Sequence, residues 1–540
     1  MQFLAGALST LLNVVIIGVL AALLFLSVQE ELDLGLADAP VRVQPSVVVA
    51  AGAAPRTVLV QLFEWRWDDV ATECETLLGP AGFRAVQVSP PNEHRLVAGG
   101  PWWQRYQPVS YRLNSRSGDA EAFADMVQRC ATAGVAVYAD VVINHMTGPR
   151  FEDDPLWGTG SAGSRYELRQ YPDFGPADFH QPDCPVDDYA DRDKVQRCSL
   201  SGRADLDTEA DRVQNRIGAY LNALQDLGVA GFRIDAAKHM AAGDLAGILA
   251  RVRGSPYIYQ EVIEAPGEAV QGREYLGTGS VTEFDYGRRV ADAFRSGNLA
   301  VLEALLPGLA EDLLPSDRAL VFIDNHDNQR GHGGGGAVLT HADGALYDLA
   351  NVFMLAWPYG TPRVMSSYRF ADPSQGPPSD AAGATLPVHG SDGIGCGVGW
   401  LCEHRRPTVL GMVGFRNATE GAGLDSWWND DTGGRIAFGR GERGFVVINN
   451  TDEPMRQWLR MGLPAGRYCN VLASRPVDGA CAAMAAPPDQ PAADSADPAA
   501  EQGATGVLEV TVGKDKSATF AVPPRSAIAI HVGMASALGR

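Results

Sequence analysis

Eight short apolar runs constrain the fold of this chain most strongly, because each is followed by a polar loop rich in Gly and Pro and then by a helix-like segment. Runs of this length without alternation are typical of strands buried on both faces, as in a parallel sheet. Helical patterns separate the runs, for example at residues 121–133, 211–227 and 244–252. We therefore predict an α/β fold, a (β/α)8 TIM barrel. The predicted strands are residues 58–65, 85–90, 135–145, 231–235, 257–263, 281–284, 319–327 and 361–366.

Two segments depart from this rhythm. Residues 146–205 are rich in Asp, Pro, Gly and aromatic residues, and we interpret them as an excursion domain after the third strand. From residue 434 apolar and polar residues alternate, which predicts a C-terminal antiparallel β domain over residues 434–540. Residues 482–505, rich in Ala, Pro and Asp, are predicted to form a low-complexity loop inside it. The barrel then comprises residues 56–145 and 206–433.

The N-terminal residues 1–29 carry no charge, and residues 11–28 form a nearly continuous apolar stretch. This stretch is longer than the core of most signal peptides and almost long enough to cross a bilayer. We therefore predict a secreted, extracellular protein. Whether residues 1–29 are a cleaved signal or a retained membrane anchor stays open, and residues 30–55 are interpreted as a linker.

Composition excludes several classes of protein. With 65 acidic and 44 basic residues the net charge is −21, so the chain is a poor candidate for binding nucleic acid or an anionic membrane surface by general electrostatics. Its 46% apolar content excludes wholesale disorder. The eight cysteines, an even number behind an export segment, favour disulfides over free thiols in a reducing compartment.

Three carboxylates stand at the C-terminal ends of three different predicted strands: Asp235, Glu261 and Asp327. In a barrel of this kind the functional sites form at that face. One such acid alone could be a helix cap or a salt-bridge partner, but three together favour an active site.

The motifs around these acids resemble those of the α-amylase family, glycoside hydrolase family 13, over about residues 57–534. The sequences that carry the resemblance are DVVINH at 140–145, GFRIDAAKH at 231–239, QEVI at 260–263 and FIDNHD at 322–327. Further stretches resemble the animal-type, chloride-dependent branch, namely QVSPPNE at 87–93, WWQRYQP at 102–108, DNQRGHG at 327–333 and VMSSY at 364–368.

The resemblance implies a role for each acid. Glycoside cleavage passes through an oxocarbenium-like transition state, which needs an acid at the leaving oxygen and a carboxylate at the anomeric carbon. Asp235 would be the nucleophile, Glu261 the acid/base and Asp327 the transition-state stabiliser, and the anomeric configuration would be retained. Arg233, two residues before Asp235, should share its strand face and keep it ionised.

The resemblance also implies a set of substrate-binding residues. Trp102, Trp103 and Tyr106 would stack on glucose rings, and His332 lies in a Gly-rich run, 331–336, that is interpreted as a flap over the substrate. The full predicted set is Trp102, Trp103, Tyr106, Gln107, His145, Tyr189, Arg233, Lys238, His239, Ile263, His326 and His332.

Two ions are implied in the same way. A structural Ca2+ would join the barrel to the excursion domain, held by Asn144, Asp205 and the main-chain carbonyls of Gln196 and His239, a set of oxygen donors that calcium prefers. An activating chloride would be held by Arg233, Asn325 and Arg363. Two alternatives stay open for Arg363: Pro362 beside it could shift its backbone, and Arg363 could instead pair with an acid of a loop.

The disulfides that the resemblance implies use every cysteine. The implied pairs are Cys74–Cys130, Cys184–Cys198, Cys396–Cys402 and Cys469–Cys481.

We therefore expect a monomeric enzyme that cleaves internal α-1,4-glucosidic bonds of an α-glucan polysaccharide, starch or glycogen, with retention. A transglycosylase or a maltose-forming enzyme is the alternative within the class, because hydrolysis and transfer share the same intermediate. A membrane-tethered, non-catalytic partner protein or a binding-only starch protein is the alternative outside it. The three acids argue against both of these.

Overall fold

The computed structural model describes residues 55–149, 157–306, 308–333, 335–390, 395–484 and 506–535. Eight parallel strands close into a barrel in chain order, and the eighth strand pairs with the first, which confirms the predicted fold. The strands β1 to β8 are Leu59–Leu62, Ala85–Val88, Ala136–Val141, Gly231–Ile234, Tyr257–Gln260, Ser280–Thr282, Ala319–Val321 and Thr361–Ser366.

Each strand lies within or overlaps one of the eight predicted runs, but several are shorter than predicted. The predicted runs 135–145, 257–263 and 319–327 include residues that follow the strands. These residues leave the hydrogen-bonded ladder at the C-terminal face of the barrel. Their apolar character reflects burial in loops at that face rather than strand pairing.

The helices between the strands cover the barrel. In Ala120–Thr132 the side chain of Asp119 accepts a hydrogen bond from Ala122 N, which caps the first turn, and Phe123, Val127 and Cys130 are buried at helical spacing. The α-helices are Trp67–Glu73, Gly79–Ala81, Ala120–Thr132, Arg192–Arg197, Asp211–Asp226, Ala242–Leu249, Phe284–Ser296, Ala345–Ala356 and Pro407–Ala418.

An irregular segment separates β3 from β4, at the position predicted for the excursion domain. It contains a short hairpin, Gly158–Thr159 with Arg165–Tyr166, and the helix Arg192–Arg197. Its end is joined to the barrel by a β-bridge between His145 and Asp205. The segment therefore returns to the C-terminal face of the barrel, next to the predicted acids.

The C-terminal part is antiparallel, as predicted, and has its own core around Phe445, Val447, Phe520 and Ile528. Its first strand precedes residue 434, and a register shift between Asp425 and Trp428 breaks the alternation that would have shown it in the sequence. Residues 485–505 of the predicted low-complexity loop lie outside the described residues. The strands β9 to β18 are Leu424–Asn429, Arg435–Arg440, Gly444–Asn449, Met455–Arg460, Gly466–Cys469, Ser474–Val477, Ala480–Ala483, Glu509–Val512, Ser517–Val522 and Ser526–His531.

All eight cysteines form disulfides, and no free thiol is left. This confirms the four pairs that the resemblance implied: Cys74–Cys130, Cys184–Cys198, Cys396–Cys402 and Cys469–Cys481. In the described ranges, no helix has both the length and the apolar character needed to span a membrane. The predicted signal or anchor, residues 1–29, lies outside those ranges, as does the linker except for Pro55.

A buried ion cluster ties the helix Trp67–Glu73 to the segment after β8. The carboxylate of Glu73 accepts hydrogen bonds from His404 Nε2 at 2.7 Å, Arg405 Nε at 2.8 Å and His389 Nε2 at 3.0 Å. The other ring nitrogen of His389 lies 3.2 Å from Asp69 Oδ1. Burial opposes the charge of His389, but its bonds to Asp69 and Glu73 raise its pKa to about 9.

We expect this cluster to make stability depend on pH. The pKa of His389 is raised from 6.5, so its contribution is fully present below pH 6.5 and is lost as pH rises through about 9. Replacement of His389 by Gln should cost about 1–3 kcal/mol at pH 6, because a charged donor to a buried carboxylate is removed. Thermal unfolding of wild type and variant from pH 6 to pH 10 should show the difference in Tm shrinking as the pH rises from about 6.5 to about 9. The control is His341→Gln, because burial lowers the pKa of His341. A constant difference across that range would contradict the assignment.

Candidate active site

The three predicted acids lie together at the C-terminal face of the barrel. Asp235 directly follows β4, Glu261 directly follows β5, and Asp327 lies in the loop after β7. All three line one cleft of about 740 Å3. Barrel topology explains the convergence, because the carboxyl ends of parallel strands meet at one face.

One guanidinium binds two of the acids. Arg233 Nη1 donates to Asp235 Oδ1 at 2.8 Å and to Asp140 Oδ1 at 2.6 Å, while Nη2 donates to Glu261 Oε1. The second oxygen of Glu261 accepts from the backbone N of Ala236 at 3.0 Å. Arg233 itself is only 2% exposed and lies beneath the cleft floor. It was predicted as a substrate-binding residue, but in the structure it positions the acids and does not line the cleft.

Burial raises the pKa of two of these acids, Asp235 and Asp327. It raises the pKa of Asp235 well above its usual range, since burial together with repulsion from Glu261 and Asp140 outweighs the opposing effect of Arg233. Burial and the charge of Glu261 likewise raise the pKa of Asp327 to about 7. Arg233 favours the ionised form of Asp235, as expected, but this one cation faces several buried carboxylates. The cluster as a whole retains a proton near neutral pH.

Apart from Arg233, every predicted substrate residue lines the cleft. Tyr106 stacks on the ring of His326 at 5.0 Å between centroids, and Trp102 meets the same ring edge-on at 5.4 Å. Tyr189 lies over Lys238 Nζ at 4.6 Å on the opposite wall. The predicted residues that line the cleft are Trp102, Trp103, Tyr106, Gln107, His145, Tyr189, Lys238, His239, Ile263, His326 and His332.

Three histidines of the cleft are neutral at physiological pH. Burial lowers the pKa of His145 and His326 well below the usual value and that of His239 to about 4. A neutral imidazole can both donate and accept a hydrogen bond, which suits contacts to sugar hydroxyls. His332, a fourth histidine of the cleft, lies 5.8 Å from Trp102 between ring centroids.

The predicted calcium ligands meet at the junction of barrel and excursion segment. Asn144 is buried, and its Oδ1 has no hydrogen-bond partner in the part of the chain that the structure describes. Asp205 forms a β-bridge with His145, the residue after Asn144. Burial raises the pKa of Asp205 to about 6, although His180 Nδ1 contacts its carboxylate at 2.7 Å. An orphaned amide oxygen near a buried carboxylate fits a divalent cation.

The two predicted carbonyl ligands are on neighbouring segments. His239 Nδ1 lies 2.9 Å from the carbonyl oxygen of Val195, the residue before Gln196. The side chain of Gln196 is used elsewhere, because its Nε2 donates to Tyr275 OH at 3.2 Å. Main-chain oxygens are therefore what these residues can offer an ion.

The predicted chloride residues lie close to the acids in the barrel. Arg363 is buried, its Nη1 donates to Gln87 Oε1 at 2.7 Å, and its Nε has no hydrogen-bond partner among the described residues. Burial and repulsion from Arg233 lower the pKa of Arg363. Two buried cations that repel each other fit an anion between them. Asn325 is also buried, and its Oδ1 accepts from the backbone of Asp327 at 3.0 Å.

Neither alternative for Arg363 holds among the described residues. Pro362 pairs in register with Val321, and Arg363 pairs with Leu59, so the strand is regular there. Within the same ranges, the Arg363 guanidinium contacts the side chains of Gln87 and Tyr259 rather than a loop acid.

Sequence reasoning missed two residues that complete the site. Asp140 belongs to one of the resembling motifs but received no predicted role, yet it binds Arg233 and accepts from Tyr106 OH at 2.9 Å. Strand register explains this, because Asp140 on β3 is directly opposite Arg233 on β4. Arg203, in the excursion segment, also lines the cleft, and nothing in its local sequence marks it.

A closed parallel barrel with three acids at its C-terminal face, in a cleft with aromatic walls, is typical of glycoside hydrolases. Residues 80–257 match the family model described as alpha amylase, catalytic domain, and residues 427–533 match alpha amylase, C-terminal all-beta domain. The chain belongs to the α-amylase family.

Relatives from several animals are similar over most of the chain. An alpha-amylase of Tribolium castaneum is 47% identical, over 79% of this chain and 88% of its own length. A pancreatic alpha-amylase 2a5 of Mus musculus is 45% identical, over 79% and 89%. A solved structure of a Glu-to-Gln mutant of alpha-amylase I from Eisenia fetida with maltohexaose is 41% identical, with a TM-score of 0.77, and the match covers 88% of this chain and 97% of that chain.

Proposed function

We propose that this enzyme hydrolyses internal α-1,4-glucosidic bonds of starch or glycogen with retention of configuration. The observation that carries the proposal is the single guanidinium of Arg233 that holds Asp235 and Glu261 side by side beneath the cleft, next to Asp327. Retaining enzymes need two closely spaced carboxyl groups, one as nucleophile and one as acid.

In the first step Asp235 attacks the anomeric carbon while Glu261 gives its proton to the glycosidic oxygen. The C–O bond breaks, the leaving glucan departs with a free hydroxyl, and the sugar stays bonded to Asp235. In the second step Glu261 takes a proton from water, and the hydroxide displaces Asp235. Two inversions give net retention, and Glu261 ends protonated as it began.

Burial raises the pKa of Asp235 and Asp327, and the assignment of nucleophile and acid comes from the family motifs rather than from these pKa values. Because the cluster retains a proton near neutral pH, an acid is available without a low bulk pH. When Glu261 carries that proton, Asp235 loses one repulsive neighbour and its ionised form is favoured by Arg233. Asp327, with His326 Nε2 at 3.3 Å from its Oδ2, would contact the reacting sugar.

The test is product analysis of the full-length protein on soluble starch, with Glu261→Gln as control. We expect a mixture of short malto-oligosaccharides from wild type and none from the variant. Transfer products that dominate at high oligosaccharide concentration would favour the transglycosylase alternative. A folded protein without activity on any α-glucan would favour the non-catalytic alternatives.

We propose a structural Ca2+ held by Asn144, Asp205 and the carbonyls of Gln196 and His239. The orphaned Oδ1 of Asn144 and the buried carboxylate of Asp205 support it. When bound, the ion would fix the excursion segment against the barrel.

Removal of calcium should therefore destabilise the enzyme. A bound ion at 100 times its dissociation constant adds about 2.7 kcal/mol to folding, so a chelator should lower both Tm and activity. Calcium should restore both, whereas Asn144→Ala should make the Tm insensitive to the chelator. Unchanged melting of the wild type in excess chelator would refute the calcium site.

We propose a chloride ion between Arg233 and Arg363, with Asn325 as the third contact. The unpartnered Nε of Arg363 and the repulsion between the two cations support it. The ion would supply negative charge near the acids and favour the protonated state of their cluster.

We further propose that the enzyme is secreted and monomeric. Four disulfides support an oxidising compartment. Size-exclusion chromatography with light scattering tests the monomer, and N-terminal sequencing of the exported protein decides whether residues 1–29 are removed or retained as an anchor.

A further inference from the structure

The two ends of the cleft differ in charge, although the chain as a whole is strongly acidic. At one end Arg95 and Arg203 flank Gly148, where a β-carbon would lie 3.9 Å from both Arg95 Nη1 and Arg203 Cγ. At the other end Glu264 and Glu268 line the cleft. We call these the basic end, Arg95 and Arg203, and the acidic end, Glu264 and Glu268.

The charge of Arg203 is not cancelled by a close carboxylate in the described ranges. Its Nη1 donates to the carbonyl of Leu200 at 3.3 Å, and its buried Nε has no hydrogen-bond partner among the same residues. Burial lowers the pKa of Arg203, and only the charges of Asp235 and Asp327 oppose that. The Arg203 guanidinium therefore contributes a positive charge to the cleft wall.

The acidic end lies on the side of the leaving group. Lys238 N donates to the carbonyl of Glu261, the proposed acid, at 3.2 Å, and Lys238 Nζ contacts Glu268 at 2.5 Å. Glu261 would protonate the leaving oxygen. The sugars of the leaving group therefore lie beyond that oxygen, next to the cleft wall that carries Glu264 and Glu268.

The basic end adjoins the opposite side of the scissile bond. Gln107 Oε1 accepts from Arg95 Nη1 at 3.2 Å and from Gly148 N at 2.8 Å. Gln107 directly follows Tyr106, whose ring stacks on His326 beside Asp327. The basic end is therefore on the glycone side. This side of the cleft holds the sugar that becomes bonded to Asp235 and the sugars next to it.

We propose that Arg95 and Arg203 bind a phosphate monoester on the glycone side of an α-glucan, an inference that rests on the proposed function. Guanidinium groups offer a planar fork of donors that matches phosphate oxygens. On the leaving-group side Lys238 pairs with Glu268, and the remaining negative charge of Glu264 repels the same substituent. The enzyme then cleaves phosphorylated glucans so that the phosphate stays on the glycone product.

The experiment uses maltoheptaose that carries one 6-phosphate, as a mixture of positional isomers, and neutral maltoheptaose as reference. Mass spectrometry of end-labelled products gives the ratio of phosphate on glycone to phosphate on aglycone fragments. We expect a ratio of about ten or more for wild type, since charge-assisted bonds are strong. Arg203→Leu should bring the ratio near one, and Arg203→Lys should keep part of it.

The charge-matched control is Arg129→Leu, which removes one positive charge from the helix Ala120–Thr132, where Arg129 pairs with Glu75. It should keep the wild-type ratio. A wild-type ratio near one, with normal cleavage of neutral maltoheptaose, would overturn the inference and leave the proposed function intact. A ratio that Arg203→Leu does not change would overturn it too. Hydrolysis of neither sugar would overturn both.

Discussion

Replacement of Glu261 by Gln is expected to lower kcat on starch by about 100- to 10,000-fold while the fold persists. Glutamine keeps the shape of the side chain and can still contact Arg233 and the backbone N of Ala236, which hold Glu261 in place. It cannot give a proton to the glycosidic oxygen. Initial rates on soluble starch, with circular dichroism and Tm of the same samples, measure the effect.

Asp235→Asn should be at least as damaging, because the amide cannot form the bond to the anomeric carbon. Since Asp235 and Glu261 act on one intermediate, the double variant should be little worse than either single one. A conservative exchange outside the site, Asp125→Asn on an exposed helix face, serves as control and should leave kcat unchanged. Near-normal activity of a folded Glu261→Gln protein would remove the basis of the proposed mechanism.

Chloride should change the pH dependence of the reaction. Without the anion, the charges of Arg233 and Arg363 favour ionised carboxylates, so the acid cluster loses its proton at lower pH. The alkaline limb of the pH–rate profile should therefore move toward acid in chloride-free buffer. Sodium chloride should move it back, whereas a sodium salt of a non-binding anion at the same ionic strength should not.

Variants of Arg363 sharpen this test. Arg363→Gln removes one of the two cations, and the enzyme should be active without chloride and insensitive to it. Arg363→Lys should keep a weaker dependence, because lysine lacks the planar fork of donors. Superimposable wild-type profiles with and without chloride at matched ionic strength would show that this ion site does not operate.

The sequence was sufficient for the barrel and for the convergence of its acids. Buried parallel strands produce continuous apolar runs, and the acids that follow them must meet at one face. The order of apolar runs and acids along the chain therefore places Asp235 and Glu261 together. The strand ends are not predictable in this way, because residues such as 142–143 are as apolar as the strand before them but lie outside the ladder.

The electrostatics of the site depend on contacts that the chain order does not show. Asp140 faces Arg233 only through the register of β3 and β4, 93 residues apart in sequence. Burial, together with repulsion from Glu261 and Asp140, raises the pKa of Asp235 although Arg233 opposes the shift. Arg95 and Arg203 likewise lie on either side of Gly148, and no local sequence pattern predicts that arrangement.

The stereochemistry of the first product tests the central claim most directly. Proton NMR of wild-type enzyme on maltoheptaose, recorded before the new reducing end mutarotates, distinguishes the two anomers. Retention by attack of Asp235 and hydrolysis through Glu261 predicts that the α-anomer forms first and then equilibrates. Initial formation of the β-anomer would mean direct attack by water and would contradict the account.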